Sequence, residues 1–201
     1  MAGVDDVPEL IVADGTAWRR WLDRHGRDSA GVWLVLAKKN SSAATSLTQV
    51  EALDEALCYG WIDGLRRARD EVSFRQRFTP RTRRSAWSKR NAALAERLID
   101  AGRMHPSGLA EVERAKDDGR WAAAYAGART ITVPDDLAAA LRAEPRAAAM
   151  FEILSGQNRY AVLYRIDSAK RADTRARRID QFVKMLAEGN TIYPQRRTLD
   201  D

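Results

Sequence analysis

The chain has one cysteine, Cys58, and two histidines, His25 and His105, among its 201 residues. A single thiol excludes an intramolecular disulfide. The absence of CxxC, HExxH or any clustered histidine excludes a structural zinc site of the usual spacing. No Walker loop and no GxGxxG is present, so nucleotide-dependent chemistry has no support and no cofactor is expected. The longest aliphatic and aromatic run, Val32 to Ala37, is far too short to span a bilayer, so no membrane insertion is expected. The N-terminus lacks a basic stretch followed by an apolar one, so no signal peptide is visible and a cytoplasmic location is expected.

What is present is a basic segment. Net charge is +6. Between Arg66 and Arg103, twelve Lys and Arg face four acids, Asp70, Glu71, Glu96 and Asp100, which leaves the rest of the chain at −2. One basic region on a near-neutral protein points to a localised anionic partner. Arg81, Arg83, Arg84, Lys89 and Arg90 crowd one expected helix start, with Ser85 as its N-cap and Trp87, Leu94 and Leu98 at helical spacing. A helix N-terminus is already electropositive and normally favours Asp or Glu. Five cations without a carboxylate suit a bound anion, which backbone N–H groups there can hold. An Arg-rich solvated turn, paired with acids from elsewhere, is the other reading of the same residues.

Before that segment the pattern is mixed. Asp14-Gly15 reads as a turn and Thr16 as the cap of a helix bearing Trp18, Trp21 and Leu22. Val32 to Ala37 is apolar on both alternating sets, as in a strand covered on both faces. Thr48-Gln49-Val50-Glu51 is a capping box that opens a helix ended by Gly60. Asp63-Gly64 is turn chemistry. Leu65 to Arg69 and Val72 to Thr79 read as a hairpin. Val72, Phe74, Gln76 and Phe78 share one face of its second strand, and Arg75 and Arg77 project from the other. Strand and helix start would then form one positive surface.

After Pro80 the chain reads as helical. One helix runs from Ser85 to Ala101, and another opens at Pro106. Gly127 to Val133 is a linker. Helices then start at Pro134 and Pro145, and two more carry Tyr160, Leu163 and Tyr164, and Ile179, Phe182, Val183 and Leu186. Arg165, Lys170, Arg171, Arg175, Arg177 and Arg178 read as a solvated face with local ion pairs. Pro194 to Leu199 looks like a frayed tail. The fold class is α+β: a mixed domain over 1–126, an all-helical module over 134–190, and a tail over 191–201.

Three stretches carry a resemblance: Ala56 to Gly64 with its Gly60-Trp61-Ile62-Asp63-Gly64 core, Arg77 to Asn91, and Gly102 to Leu109. Pro134 to Leu137, Ser155 to Tyr160 and Ala169 to Ile179 add to it. In this order the chain resembles the YdeI/OmpD-associated family, also called bacteriocin-protection proteins, over nearly its whole length. The resemblance implies protection from toxic peptides or an envelope-stress association. It supplies no catalytic residues.

The candidate binding surface therefore comprises Arg75, Arg77, Arg81, Arg83, Arg84, Ser85, Trp87, Ser88, Lys89 and Arg90, with Trp61 and Asp63 beside it. Trp61 and Trp87 sit in polar settings, where an indole stacks on a ligand or under an arginine. The partner expected is an anionic small molecule or peptide, with nucleic acid as the alternative. An enzyme built on Cys58 or Asp63 lacks a partner group: no histidine lies near Cys58 in sequence, and no second carboxylate is spaced to work with Asp63.

Overall fold

The computed structural model describes residues 7–199, so the outer ends of the expected first domain and tail lie outside it. The chain divides into two compact units between Ala124 and Tyr125.

The first unit is built on four strands. β1 (Glu9–Leu10) lies parallel to β2 (Val32–Ala37), and β3 (Trp61–Ala68) and β4 (Ser73–Pro80) complete the sheet in the order β1-β2-β4-β3 with antiparallel pairing. Helix α1 (Gly15–His25) precedes β2, and α2 (Gln49–Cys58) precedes β3. Helices α3 (Lys89–Asp100) and α4 (Pro106–Asp117) follow the hairpin.

β2 is the strand that the apolar run requires. Val32, Trp33, Leu34, Val35 and Leu36 are all at most 2% exposed, so both its faces are covered. On β4, Phe74, Gln76 and Phe78 turn inward while Arg75 and Arg77 stay half-exposed on the outer face, the alternation expected of a pleated strand. Val72 falls before the strand and is exposed.

Three local expectations are corrected. Asp14, not Thr16, caps α1: its Oδ1 accepts from Ala17 N–H at 2.8 Å. Asp63-Gly64 is not a turn. It lies inside β3, where the register slips so that Gly64 and Leu65 stand opposite the single residue Arg77, a bulge that uses glycine without reversing the chain. Ser88, not Ser85, caps the basic helix, accepting from Asn91 N–H at 3.1 Å. Both serines are good caps, but the Ser85 hydroxyl is taken by Thr82 N–H at 2.9 Å within a turn, and the helix starts only after Ser88. The capping box of α2 is present: Thr48 N–H donates to Glu51 Oε2 at 2.9 Å and Glu51 N–H to Thr48 Oγ1 at 3.3 Å.

The inner sheet face packs on the helices through Trp18, Leu34, Leu36, Leu53, Phe78 and Leu98. Trp18 meets Trp61 edge-on, with centroids 6.2 Å apart, and its Nε1 donates to Ala52 O. Aromatic edges of this kind add to the transfer energy of burial. Gly60 turns α2 into β3 at φ +77, and a Cβ there would meet Ser107 O at 3.2 Å. Thus α4 starts directly against the end of α2.

The second unit contains α5 (Asp135–Ala143), α6 (Pro145–Glu152), α7 (Gly156–Asp167) and α8 (Ala172–Ala187) around Leu137, Met150, Phe151, Leu163 and Leu186. Arg175 binds Asp136 with two nitrogens, at 2.6 and 3.0 Å, while Arg171 pairs with Asp173 and Lys184 with Asp180. Residues 193–197 are not frayed. Asn158 Nδ2 donates to Tyr193 O and to Gln195 Oε1, each at 2.9 Å, and Tyr193 N–H donates back to Asn158 Oδ1. A polar, proline-containing segment gives no sign in sequence that a buried asparagine waits for it.

Candidate functional site

Only Lys89 and Arg90 of the basic segment lie at a helix start, that of α3. Residues 82–85 form a tight turn: Thr82 N–H donates to Ser85 Oγ at 2.9 Å, Ser85 N–H to Thr82 O at 3.0 Å, and Arg84 N–H to Thr82 Oγ1 at 3.2 Å. Its carbonyls point inward. Arg120 Nη1 donates to Ser85 O at 3.0 Å and to Thr82 O at 3.4 Å, and the same nitrogen binds Glu111 Oε1 at 2.9 Å. Glu111 is buried and also bridged by Arg114. The turn is thus braced from below, with Arg83 and Arg84 exposed on its outer side.

Arg77, Thr79, Thr82 and Ser85 line an open groove of about 600 Å3 with Gly64 and Leu65 at the bulge. Among the described residues no acidic side chain lines it. Arg77 Nε is shielded from solvent and has no hydrogen-bond partner among the described residues. Among those residues Arg77, Arg83, Arg84, Lys89 and Arg90 make no ion pair, whereas Arg75 pairs with Glu9 at 3.5 Å and lies over Trp33. A groove of hydroxyls and a guanidinium, without counter-charge, is suited to accept carboxylate or phosphate oxygens.

The remaining candidates are dispersed. Arg81 is buried, with its guanidinium 3.6 Å from the Trp87 ring centre and its N–H on Gly60 O at 2.9 Å. Trp87 is 2% exposed and packs on Trp121 at 4.7 Å, so it stacks under an arginine rather than walling the groove. Trp61 is 1% exposed, and its Nε1 donates to Gly26 O at 3.0 Å. Trp61 and Arg81 instead reach a second cavity of about 840 Å3, shared with Asp23, Tyr59, His105 and Glu111. Ser88 is occupied as a cap, and Lys89 and Arg90 stand exposed in the first turn of α3.

Asp63 sits on the inner face and accepts from Gln76 Nε2 at 2.8 Å. Burial pushes its carboxyl above the ordinary aspartate range, against the opposing pull of Arg90 and Arg81. Cys58 is fully buried, and burial pushes its thiol up as well, the reverse of what a nucleophile needs. His105 meets Cys58 through the backbone, N–H to O at 3.0 Å, while its Nδ1 lies 2.8 Å from Ser107 Oγ and its ring stacks on Tyr59 at 4.6 Å. Among the described residues no group of three or more His, Cys, Asp or Glu is placed to hold a metal, and no helix is long and apolar enough to cross a membrane.

Sequence reasoning missed Arg120 and Glu111. Nine residues apart and outside the basic segment, they carry no motif, and only the return of the chain after α4 brings them under the turn.

The molecule is thus an α+β protein that carries a basic turn on a small sheet and a separate four-helix module. The chain belongs to the family described as Domain of unknown function (DUF8412), whose model matches residues 10–111. Residues 130–189 match the family described as Bacteriocin-protection, YdeI or OmpD-Associated. The Gly60–Gly64 motif and the basic turn fall in the first match, and the helical module in the second. No curated protein and no solved structure matches the chain.

Proposed function

We propose that the protein is a cytoplasmic binding protein, with no catalytic step of its own, that holds an anionic small molecule or peptide on the groove between Arg77 and the 82–85 turn. Protection against a bacteriocin, a toxic peptide, is the role that the description of the C-terminal match supports. One observation carries the reading. Arg77 lines the groove with the hydroxyls of Thr79, Thr82 and Ser85, on a turn that also carries the exposed Arg83 and Arg84, and no acidic side chain lines the groove among the described residues. A guanidinium with no acid beside it keeps its donors for the oxygens of a bound anion.

The test is a calorimetric titration with sulfate and with an acidic peptide at 50 and 200 mM salt, on the protein and on an Arg77→Ala/Arg84→Ala variant. Binding that is shallow in salt and lost in the variant supports the reading. Tight duplex DNA binding that falls by about a thousandfold across that salt range would replace the small anion with nucleic acid.

A further inference from the structure

β3 is the outer strand of the sheet and pairs only with β4 among the described residues. Residues 64–68 are exposed throughout. Every second residue of such a strand turns its N–H and C=O away from its neighbour, towards solvent. A basic groove flanks this edge on each face of the sheet. The outer one is the groove of Arg77 and Ser85, which includes Leu65. On the inner face a hollow of about 640 Å3 is lined by Lys38, Lys39 and Arg66, with Phe74 in its wall. Among the described residues neither groove has an acidic residue in its lining. The strand itself sends a guanidinium to each side: Arg66 lies 3.7 Å from the ring centre of Phe74 on the inner face, and Arg67 lies 5.0 Å from that of Trp33 on the outer.

We propose that this edge accepts an extended acidic segment of another protein as an added strand. The inference rests on the groove reading above and assigns its ligand class and mode of recognition. An incoming strand hydrogen-bonds through its backbone, which supplies affinity without regard to sequence. Its side chains alternate between the two faces. Acidic residues at successive positions therefore reach Arg77 and the 82–85 turn on one side, and Lys38, Lys39 and Arg66 on the other. Arginines and a bulge on an edge strand are also the ordinary guard against self-pairing. That guard repels a second copy of this edge and admits a strand of opposite charge. It does not require cations in grooves beyond the strand, and both grooves have them.

The experiment is amide hydrogen exchange of the full chain with a capped Glu-Glu-Val-Val-Glu-Glu-Val-Val peptide, which places carboxylates on both faces of an added strand and equals in length the 8 residues of β3. The expected result is exchange slowed about tenfold or more at alternate amides between 62 and 68. A Lys–Val peptide should give none. Two further peptides carry N-methyl groups on alternate backbone nitrogens, one set in each phase. A paired strand tolerates one phase and loses the other. Equal binding of both methylated peptides, equal binding of the Lys–Val peptide, or protection that rises with protein concentration alone would each overturn the proposal. If sulfate binds and Arg77→Ala abolishes it while the β3 amides stay unprotected, strand addition fails and the groove reading stands. If neither sulfate nor peptide binds, the groove reading itself fails.

Discussion

Arg120 and Glu111 meet at 2.9 Å directly beneath the 82–85 turn, and the same Arg120 nitrogen holds the carbonyls of Ser85 and Thr82. A buried ion pair thus sets the shape of an exposed basic turn. Replacing Arg120 by Met leaves Glu111 buried with Arg114 alone and takes a donor from the carbonyls of Ser85 and Thr82, of which Thr82 O keeps the N–H of Ser85. The expected cost is about 3 kcal/mol in urea unfolding. The double variant Glu111→Leu/Arg120→Met should recover a large part of it, because no charge is then stranded. Arg120→Met within about 0.5 kcal/mol of the parent would show that the pair does not brace the turn.

The start of α4 depends on a missing side chain. At Gly108 a Cβ would lie 2.1 Å from Cys58 O and 3.0 Å from Leu57 O. Alanine favours a helix over glycine by about 1 kcal/mol, so helix propensity predicts stabilisation. The backbone contact predicts a loss of about 2 kcal/mol for Gly108→Ala. Gly156, the first residue of α7, has nothing within 4 Å of the same position. Gly156→Ala should raise stability by about 0.4 to 1 kcal/mol. Thermal unfolding of the two variants should move in opposite directions, and movement in the same direction refutes the contact.

Asp63 is raised by burial, so its carboxyl resists ionising in the folded chain. Its contribution to stability is then fully present below the ordinary aspartate value of about 3.9, and is lost as pH rises through the higher folded value. Asp63→Asn removes that loss and can still accept from Gln76. The variant should match the parent near pH 3.5 and gain on it steadily towards neutrality, as read by denaturant midpoints at several pH values. A constant offset between the two curves would show that Asp63 does not titrate differently on folding.

Asn158 is 1% exposed and joins α7 to the C-terminal segment through Tyr193 and Gln195. Asn158→Ala leaves the Tyr193 N–H and C=O without their partner. The expected cost is about 2 to 3 kcal/mol, with limited proteolysis moving first to residues 190–197. Unchanged cleavage there would mean that the segment is held by other contacts.

The core was legible from local pattern. The two-sided apolar run of β2, the capping box of α2 and the alternation of Phe74, Gln76 and Phe78 against Arg75 and Arg77 each need only neighbours in sequence to be read. The basic site was legible as composition and misread as geometry. Ser85 and Ser88 are equally good caps in isolation, and Arg81 gives no sign that it will lie over Trp87 inside the fold. Asp63-Gly64 carries turn residues, yet pairing with Phe78 and the slip opposite Arg77 make it a bulged strand.

Sequence by itself determined that the chain is α+β, that a helical module follows a mixed one, and that positive charge gathers between Arg66 and Arg103. Hydrophobic period, caps and charge counts act over a few residues, so they are readable without a fold. Only the tertiary structure decided which cations are exposed, which are buried, and which pair with an acid. Arg81 went under the surface with Trp87, Arg75 found Glu9, and Arg77 joined the turn held by Arg120. Those outcomes depend on contacts between residues far apart in the chain, which no local spacing encodes.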